Sequence, residues 1–243
     1  SGGSGTDTLN ISFSGTLTGD ETLEAVDIDG VEKVLASNYE TSSNANIISA
    51  TLFDSSLSTV GLSSSASSGG TTFTNLSEIV DAEMRNGAGD LTLTYNAAVV
   101  AGTSDSQKLT ISALTAGTFD ADSVETLNLV SETSKSKLTD ISSTGLKTLN
   151  ISGSAALEVT TALATKTIDA SASTGGVTLT LGSAIQTVTG GSGDDVISGA
   201  GTITKDDTID GGAGADTLKL DIGNATFDGA SDTTGQELYG VSG

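Results

Sequence analysis

The chain is 243 residues long, carries 31 Asp+Glu against 9 Lys+Arg for a formal net charge of −22, and contains no His, Cys, Pro or Trp. Nucleic acid and anionic membrane surfaces are excluded as partners, because both need a basic face that this composition cannot supply. Zinc, copper, haem and iron–sulfur chemistry, thiol nucleophiles and imidazole bases are excluded with the missing His and Cys.

What remains is a hard-oxygen surface in which Asp outnumbers Glu 21 to 10, a bias that suits coordination of Ca²⁺. The apolar fraction is 35%, below the globular norm of roughly 45–50%, while Ser and Thr together number 73. That profile predicts a thin, elongated β-structure in which each short strand buries one or two aliphatic side chains. Disorder is disfavoured by the missing Pro, the modest charged fraction of 16% and the regular spacing of Val, Ile, Leu and Thr. No apolar run approaches the length of a membrane-spanning helix, and Ser1 to Gly5 have neither the charged nor the apolar region of a signal peptide. With no Cys, disulfides contribute nothing to stability.

In chain order, residues 1–30 hold a glycine-rich turn followed by the first strands of a module. Asp27-Ile28-Asp29-Gly30 hints at an EF-hand, but Ala25 and Ala36 occupy its first and twelfth positions, so the hint fails. Residues 31–88 read as irregular strands without clear register over 30–72. They are followed by a short helix over 75–87, with Leu76, Ile79, Val80 and Met84 on one face, a capping-box spacing at Asn75 and Glu78, and a stop at Gly87.

Residues 89–189 carry the clearest rhythm. Thr126-Leu127-Asn128 recurs as Thr148-Leu149-Asn150, Thr167-Ile168-Asp169, Thr187-Val188-Thr189 and Thr208-Ile209-Asp210, in steps of 22, 19, 20 and 21 residues. Leu91, Leu109 and Leu127 extend the series upstream at intervals of 18. Each unit alternates apolar and polar residues, the signature of a half-buried strand. A period near 20 fits one coil of a parallel β-solenoid whose equivalent aliphatics stack into an internal ladder. The expected fold is therefore all-β: an elongated parallel β-solenoid with one short decorating helix.

Residues 190–222 carry the chemistry. Gly190-Gly191-Ser192-Gly193-Asp194-Asp195-Val196-Ile197-Ser198 and Gly211-Gly212-Ala213-Gly214-Ala215-Asp216-Thr217-Leu218-Lys219 both match the nonapeptide G-G-x-G-x-D-x-U-x, in which U is a large aliphatic. Gly2-Gly3-Ser4-Gly5-Thr6-Asp7-Thr8-Leu9-Asn10 matches as well, and a degenerate copy runs from Gly199 through Asp206 and Asp207 to Asp210. Glycines permit positive φ and let carbonyl oxygens converge on a cation, the Asp adds a charged oxygen, and U points inward. Without an ion the stacked carboxylates repel, so metal binding becomes folding free energy. No phosphate-cradling motif occurs.

These nonapeptides resemble the calcium-binding RTX repeats of proteins exported by Gram-negative bacteria through type I secretion. Ser/Thr/Ala-rich strands such as Val124-Glu125-Thr126-Leu127-Asn128-Leu129, punctuated by scattered rather than continuous repeats, look like surface-layer (S-layer) proteins of the Caulobacter and Campylobacter type. The resemblance covers most of the chain in composition, but in motif only residues 2–10 and 190–219. It implies an extracellular, secreted, calcium-binding structural protein that self-assembles into a two-dimensional crystalline coat, without enzymatic activity. A cell-surface polysaccharide would be met through another part of the parent chain.

By the family motif, with short RTX β-roll segments at these turns, the metal ligands are Asp7, Asp195, Asp207 and Asp216 together with Gly191, Gly193, Gly212 and Gly214, and Asp194 and Asp210 as additions. The alternative is a stalk module of a large calcium-stiffened RTX adhesin. An acid-pair polysaccharide lyase or hydrolase is disfavoured, since three Tyr and no Trp leave no aromatic sugar platform. Gly2 and Gly211 begin equivalent motifs, which suggests a module of about 209 residues whose next copy begins within 223–243. In that arrangement Asp7 lacks an upstream partner turn unless another part of the chain supplies one.

Overall fold

The computed structural model describes residues 2–15, 20–23, 26–40, 44–66, 69–199, 201–220 and 241–242. The expected start of a further module in 223–243 lies outside the described residues except for its strand Val241–Ser242.

The chain forms a parallel β-solenoid built on one continuous 11-stranded spine sheet. In spatial order the spine strands are Thr8–Phe13, Lys33–Asn38, Thr59–Ser63, Asp81–Arg85, Ser106–Ser112, Thr126–Ser131, Thr148–Gly153, Thr167–Ser173, Thr187–Thr189, Thr208–Asp210 and Val241–Ser242. Two further sheets complete the coils. A 6-stranded sheet runs from Glu21–Leu23 through Asn46–Ser49, Gly70–Leu76, Asp90–Tyr95 and Thr118–Ala121 to Asp140–Ile141. A 5-stranded sheet runs from Ser136–Leu138 through Leu157–Val159, Val177–Thr180 and Val196–Gly199 to Thr217–Leu220. The short stretch 136–141 contributes to both, so the second sheet ends in the coil where the third begins.

The threonine rhythm is the spine itself. Thr126 pairs with Thr148, Thr148 with Thr167, Thr167 with Thr187 and Thr187 with Thr208. One residue on, Leu127, Leu149, Ile168, Val188 and Ile209 stack as a buried ladder, each worth about 1.5–3 kcal/mol of removed apolar surface. The alternation of small hydroxyl residues outside and branched aliphatics inside keeps every coil thin. That is how a chain of low apolar content still encloses a core.

Two expectations are corrected. Over 75–87 there is no helix: Gly70–Leu76 and Asp81–Arg85 are strands, the second paired on one side with Thr59–Ser63 and on the other with Ser106–Ser112. Val80, Ala82 and Met84 are buried while Asp81, Glu83 and Arg85 face outward, so the period-2 pattern decides. Asn75 has φ of 58° and is a left-handed residue within the register shift between Phe73 and Leu76 of its strand, instead of capping a helix. An isolated helix of about 12 residues is marginal in water, whereas two flanking strands satisfy every main-chain group of 81–85. The only described helix is the 3-10 turn Ala50–Leu52.

The upstream rhythm of 18 also fails. Leu91 lies in the second sheet, and Leu109 pairs with Leu129 rather than Leu127. The spine does pass through residues 30–72, where no register was legible: Thr8 pairs with Lys33, Lys33 with Thr59, and Thr59 with Asp81, in steps of 25, 26 and 22 residues. The first two of these coils, at 25 and 26 residues, are longer than the 19 to 22 residues of the coils from Thr126 onward, and that unevenness hides the period.

Candidate metal centre

The two downstream nonapeptides are stacked on one another. Val196 pairs with Thr217 and Ile197 with Leu218, which places Gly190–Asp195 and Gly211–Asp216 as consecutive storeys of one corner. The stacking is close enough to require glycine. A Cβ on Gly212, whose φ is 85°, would lie 2.3 Å from the Gly191 carbonyl oxygen, and one on Gly214 would lie 2.6 Å from that of Gly193. The Ala213 N–H donates to the Gly191 oxygen at 2.8 Å, and the Gly190 N–H donates to the Asp210 oxygen at 2.7 Å.

Aspartates stitch these storeys together. Asp195 is 1% exposed; its Oδ2 accepts from the Gly191 N–H at 2.7 Å, closing its own turn, and its Oδ1 accepts from the Val177 N–H of the preceding coil at 2.7 Å. Asp216 Oδ1 accepts from the Asp195 N–H at 3.0 Å, and Asp194 Oδ1 accepts from the Ala215 N–H at 2.9 Å. Asp210 Oδ1 accepts from the Gly212 N–H at 3.1 Å. Thus Asp194, Asp195, Asp210, Asp216, Gly191, Gly193, Gly212 and Gly214 are brought to one corner.

Asp207 and Asp7 are not. Asp207 is buried at the start of the spine strand Thr208–Asp210, where it accepts from the N–H groups of Gln186 and Thr204, both at 2.7 Å. Three inserted residues carry the degenerate copy to a different corner from Asp195 and Asp216. Asp7 stands at the opposite end of the spine, beside Glu32, whose Oε2 accepts from the Asp7 N–H at 2.8 Å. Its partner turn is downstream: the Gly2 N–H donates to the Asp29 oxygen at 2.9 Å, and a Cβ on Gly2 would collide with the Gly30 oxygen. Asp7 Oδ2 is enclosed without a hydrogen-bond partner.

The donor set at the 190–216 corner fits a hard cation in kind. Every side-chain donor is a carboxylate oxygen, each with lone pairs left after its N–H bonds, and the glycines leave their carbonyls uncovered by side chains. Among the described residues no three carboxylates gather into a metal-sized group, so main-chain oxygens would have to complete the coordination.

A second acidic group was not anticipated. On the outer face of Thr118–Ala121, Asp120 lies beside Asp122 and Asp140, and its carboxyl is pushed up to about 6, first by burial and then by the charge and hydrogen bond of Asp122 and the charge of Asp140. Asp122 is held down by the hydroxyl and N–H of Thr144. The sequence signal was Asp120-Ala121-Asp122, an i, i+2 pair that a strand puts on one face. On the spine, hydrogen bonds from Lys33 at 2.7 Å and Arg85 at 2.9 Å outweigh burial and hold Glu83 down.

No protein-family model, no curated protein and no solved structure matches the chain.

Proposed function

We propose that the chain is a structural segment of a bacterial surface layer, secreted from the cell and assembled with Ca²⁺ from copies of itself into a two-dimensional coat, with no catalytic role. The observation that carries this reading is the stacking of Gly190–Asp195 on Gly211–Asp216, with glycine carbonyls and Asp195 and Asp216 in register at one corner. In this reading each ion is held by at most two of the carboxylates Asp194, Asp195, Asp210 and Asp216, with carbonyls of the neighbouring glycines completing its sphere. The ion supplies positive charge between carboxylates that otherwise repel in a chain of net charge −22. The hydrogen bonds from Val177, Gly191 and Asp195 orient the carboxylates in advance.

A second reading, a stalk module of a calcium-stiffened adhesin, is supported by the continuity of the spine, since an uninterrupted parallel stack is a rod that bears tension along its axis. Electron microscopy with and without calcium separates the two: sheets that dissolve on chelation support the coat, and isolated rods support the stalk. Calcium at about 100 times its dissociation constant stabilises by about 2.7 kcal/mol, which for a chain of this size raises the melting temperature by about 5–10 °C. The same melting temperature in excess EDTA and in calcium would sink both readings.

A further inference from the structure

Among the described residues the most exposed large apolar side chain is Ile185, at 64%, and it has a cation beside it. The Thr187 N–H donates to the Lys166 oxygen at 2.8 Å, which sets Gln186 level with Lys166 and places Ile185 one storey from it. Lys166 is itself exposed and pairs with no carboxylate of the described residues. Its neighbour in the preceding storey is another lysine, since the Thr167 N–H donates to the Lys147 oxygen at 3.1 Å. Ile185 and Lys166 thus make a knob that is apolar and basic, on the edge of the solenoid that leads into the spine strands.

The complementary shape lies on the same edge, in the storeys that lead into Thr59–Ser63 and Asp81–Arg85. A cavity of about 120 Å³ adjoins a groove of about 440 Å³ there, and the two share Ser55, Leu57, Glu78 and Val80. Leu57 and Val80, 5% and 3% exposed, form an apolar floor. Glu78 is exposed and has neither a cation nor a hydrogen-bond partner among the described residues. Asp54 on the cavity wall accepts from the Gly30 and Ser56 N–H groups, both at 3.2 Å, and these neutral donors leave its charge in place. The hollow is therefore apolar and acidic where the knob is apolar and basic.

Counting back from the Ala82–Leu109 pair sets Glu78 level with Asp105, and main-chain bonds carry the same column on through Glu125, Lys147 and Lys166. One half of the column is acidic and the other basic, and like charges in adjacent storeys repel. We infer that two copies of the chain pair antiparallel along this edge, about a twofold axis at Glu125, with Ile185 and Lys166 of each copy seated in the hollow of the other, over Leu57 and Val80 and beside Glu78. The axis sets Lys166 opposite Glu78 and Lys147 opposite Asp105. Storeys are about 4.8 Å apart, so the four between Glu78 and Lys166 span about 19 Å in either copy and the two ends meet together. Every contact occurs twice, as a twofold interface requires, and the strip between the two knobs adds area that one seated side chain does not supply. The pair gives the self-assembling chain a defined first contact, and in that role it rests on the coat reading above.

Sedimentation velocity of the whole chain in millimolar calcium is expected to show a concentration-dependent dimer. Ile185→Asp and Glu78→Lys alter exposed side chains, so each is expected to leave the melting temperature unchanged and to weaken the dimer about tenfold or more. Adding Lys166→Glu to Glu78→Lys exchanges the charges at both ends and is expected to restore association. Carbodiimide treatment of mixed light and isotopically heavy copies is expected to join Lys166 of one copy to Glu78 of the other. A parent chain that stays monomeric, an Ile185→Asp variant that associates like the parent, or a charge exchange that restores nothing overturns the inference. Dimers that never extend into sheets sink the coat reading and leave this contact standing, whereas sheets formed equally well by Ile185→Asp sink this contact and leave the coat.

Discussion

Asp120 shows how one residue can set a pH dependence opposite to that of its neighbours. Its carboxyl, raised to about 6 by burial and by Asp122 and Asp140, binds a proton in the folded chain at pH values where the unfolded chain has already released it. The folded state is therefore favoured as pH falls from about 6 toward 4, and the group's ionisation costs stability above that window. Glu83 and Asp122, both held down, act the other way: their contribution is present above the ordinary carboxylate range and is lost on acidification. Asp120→Asn keeps the hydrogen bond toward Asp122 and removes the ionisation. It is expected to stabilise the chain by about 1–2 kcal/mol at pH 7.5, discounted for a partly solvated site, and by nothing measurable near pH 4. Urea unfolding at the two pH values checks this, and equal effects at both would show that Asp120 is not the proton-holding partner.

At the scale of the element, what the sequence made legible was whatever recurs. The Thr-aliphatic-polar unit named its five spine strands with the correct register, because one alternation recurs at nearly constant intervals and one-residue slips would turn aliphatics outward. Over 76–85 two patterns compete: Leu76, Ile79, Val80 and Met84 form a helical face while Val80, Ala82 and Met84 form an alternating one, and only pairing of Asp81–Arg85 with strands far away in sequence decides between them. The turn corner was legible in residue types but not in partners. Nothing local says that Asp195 spends both oxygens on main-chain N–H groups, or that inserted residues send Asp207 to another corner. The stacked glycines give this scale its own test. Gly212→Ala meets both a positive φ and the Gly191 oxygen 2.3 Å from its Cβ, whereas Gly3→Ala meets a φ of 99° and open space. The first is expected to cost about 3 kcal/mol and the second about 1 kcal/mol, read from denaturation midpoints. Equal losses would mean that the storeys are not in contact.

For the whole molecule, a solenoid is a one-dimensional stack in which each coil is held by its own core and its two neighbours, so stability varies along the axis. The middle coils are rich: Phe73, Leu76, Met84, Leu91, Leu93, Leu109, Ile111, Phe119, Leu127 and Leu129 are all fully buried. Toward the glycine turns the interior thins to Val188, Ile197, Ile203 and Ile209, with Leu218 and Leu220 only partly covered. The carboxylates of the turns are concentrated in this thin stretch, so in the absence of a cation repulsion is strongest where apolar burial is weakest. Hydrogen exchange reads the consequence directly. In EDTA the amides of 187–220 are expected to exchange about 10–100 times faster than those of 106–131, the tenfold steps corresponding to about 1.4 kcal/mol of opening free energy each. Millimolar calcium should slow exchange across 187–220 and leave 106–131 unchanged, because an ion at the turn corner can stabilise only the coils it joins and their immediate neighbours. Uniform protection along the spine in EDTA would refute the gradient, and equal slowing of both segments by calcium would place the ion's effect elsewhere than at Gly190–Asp216.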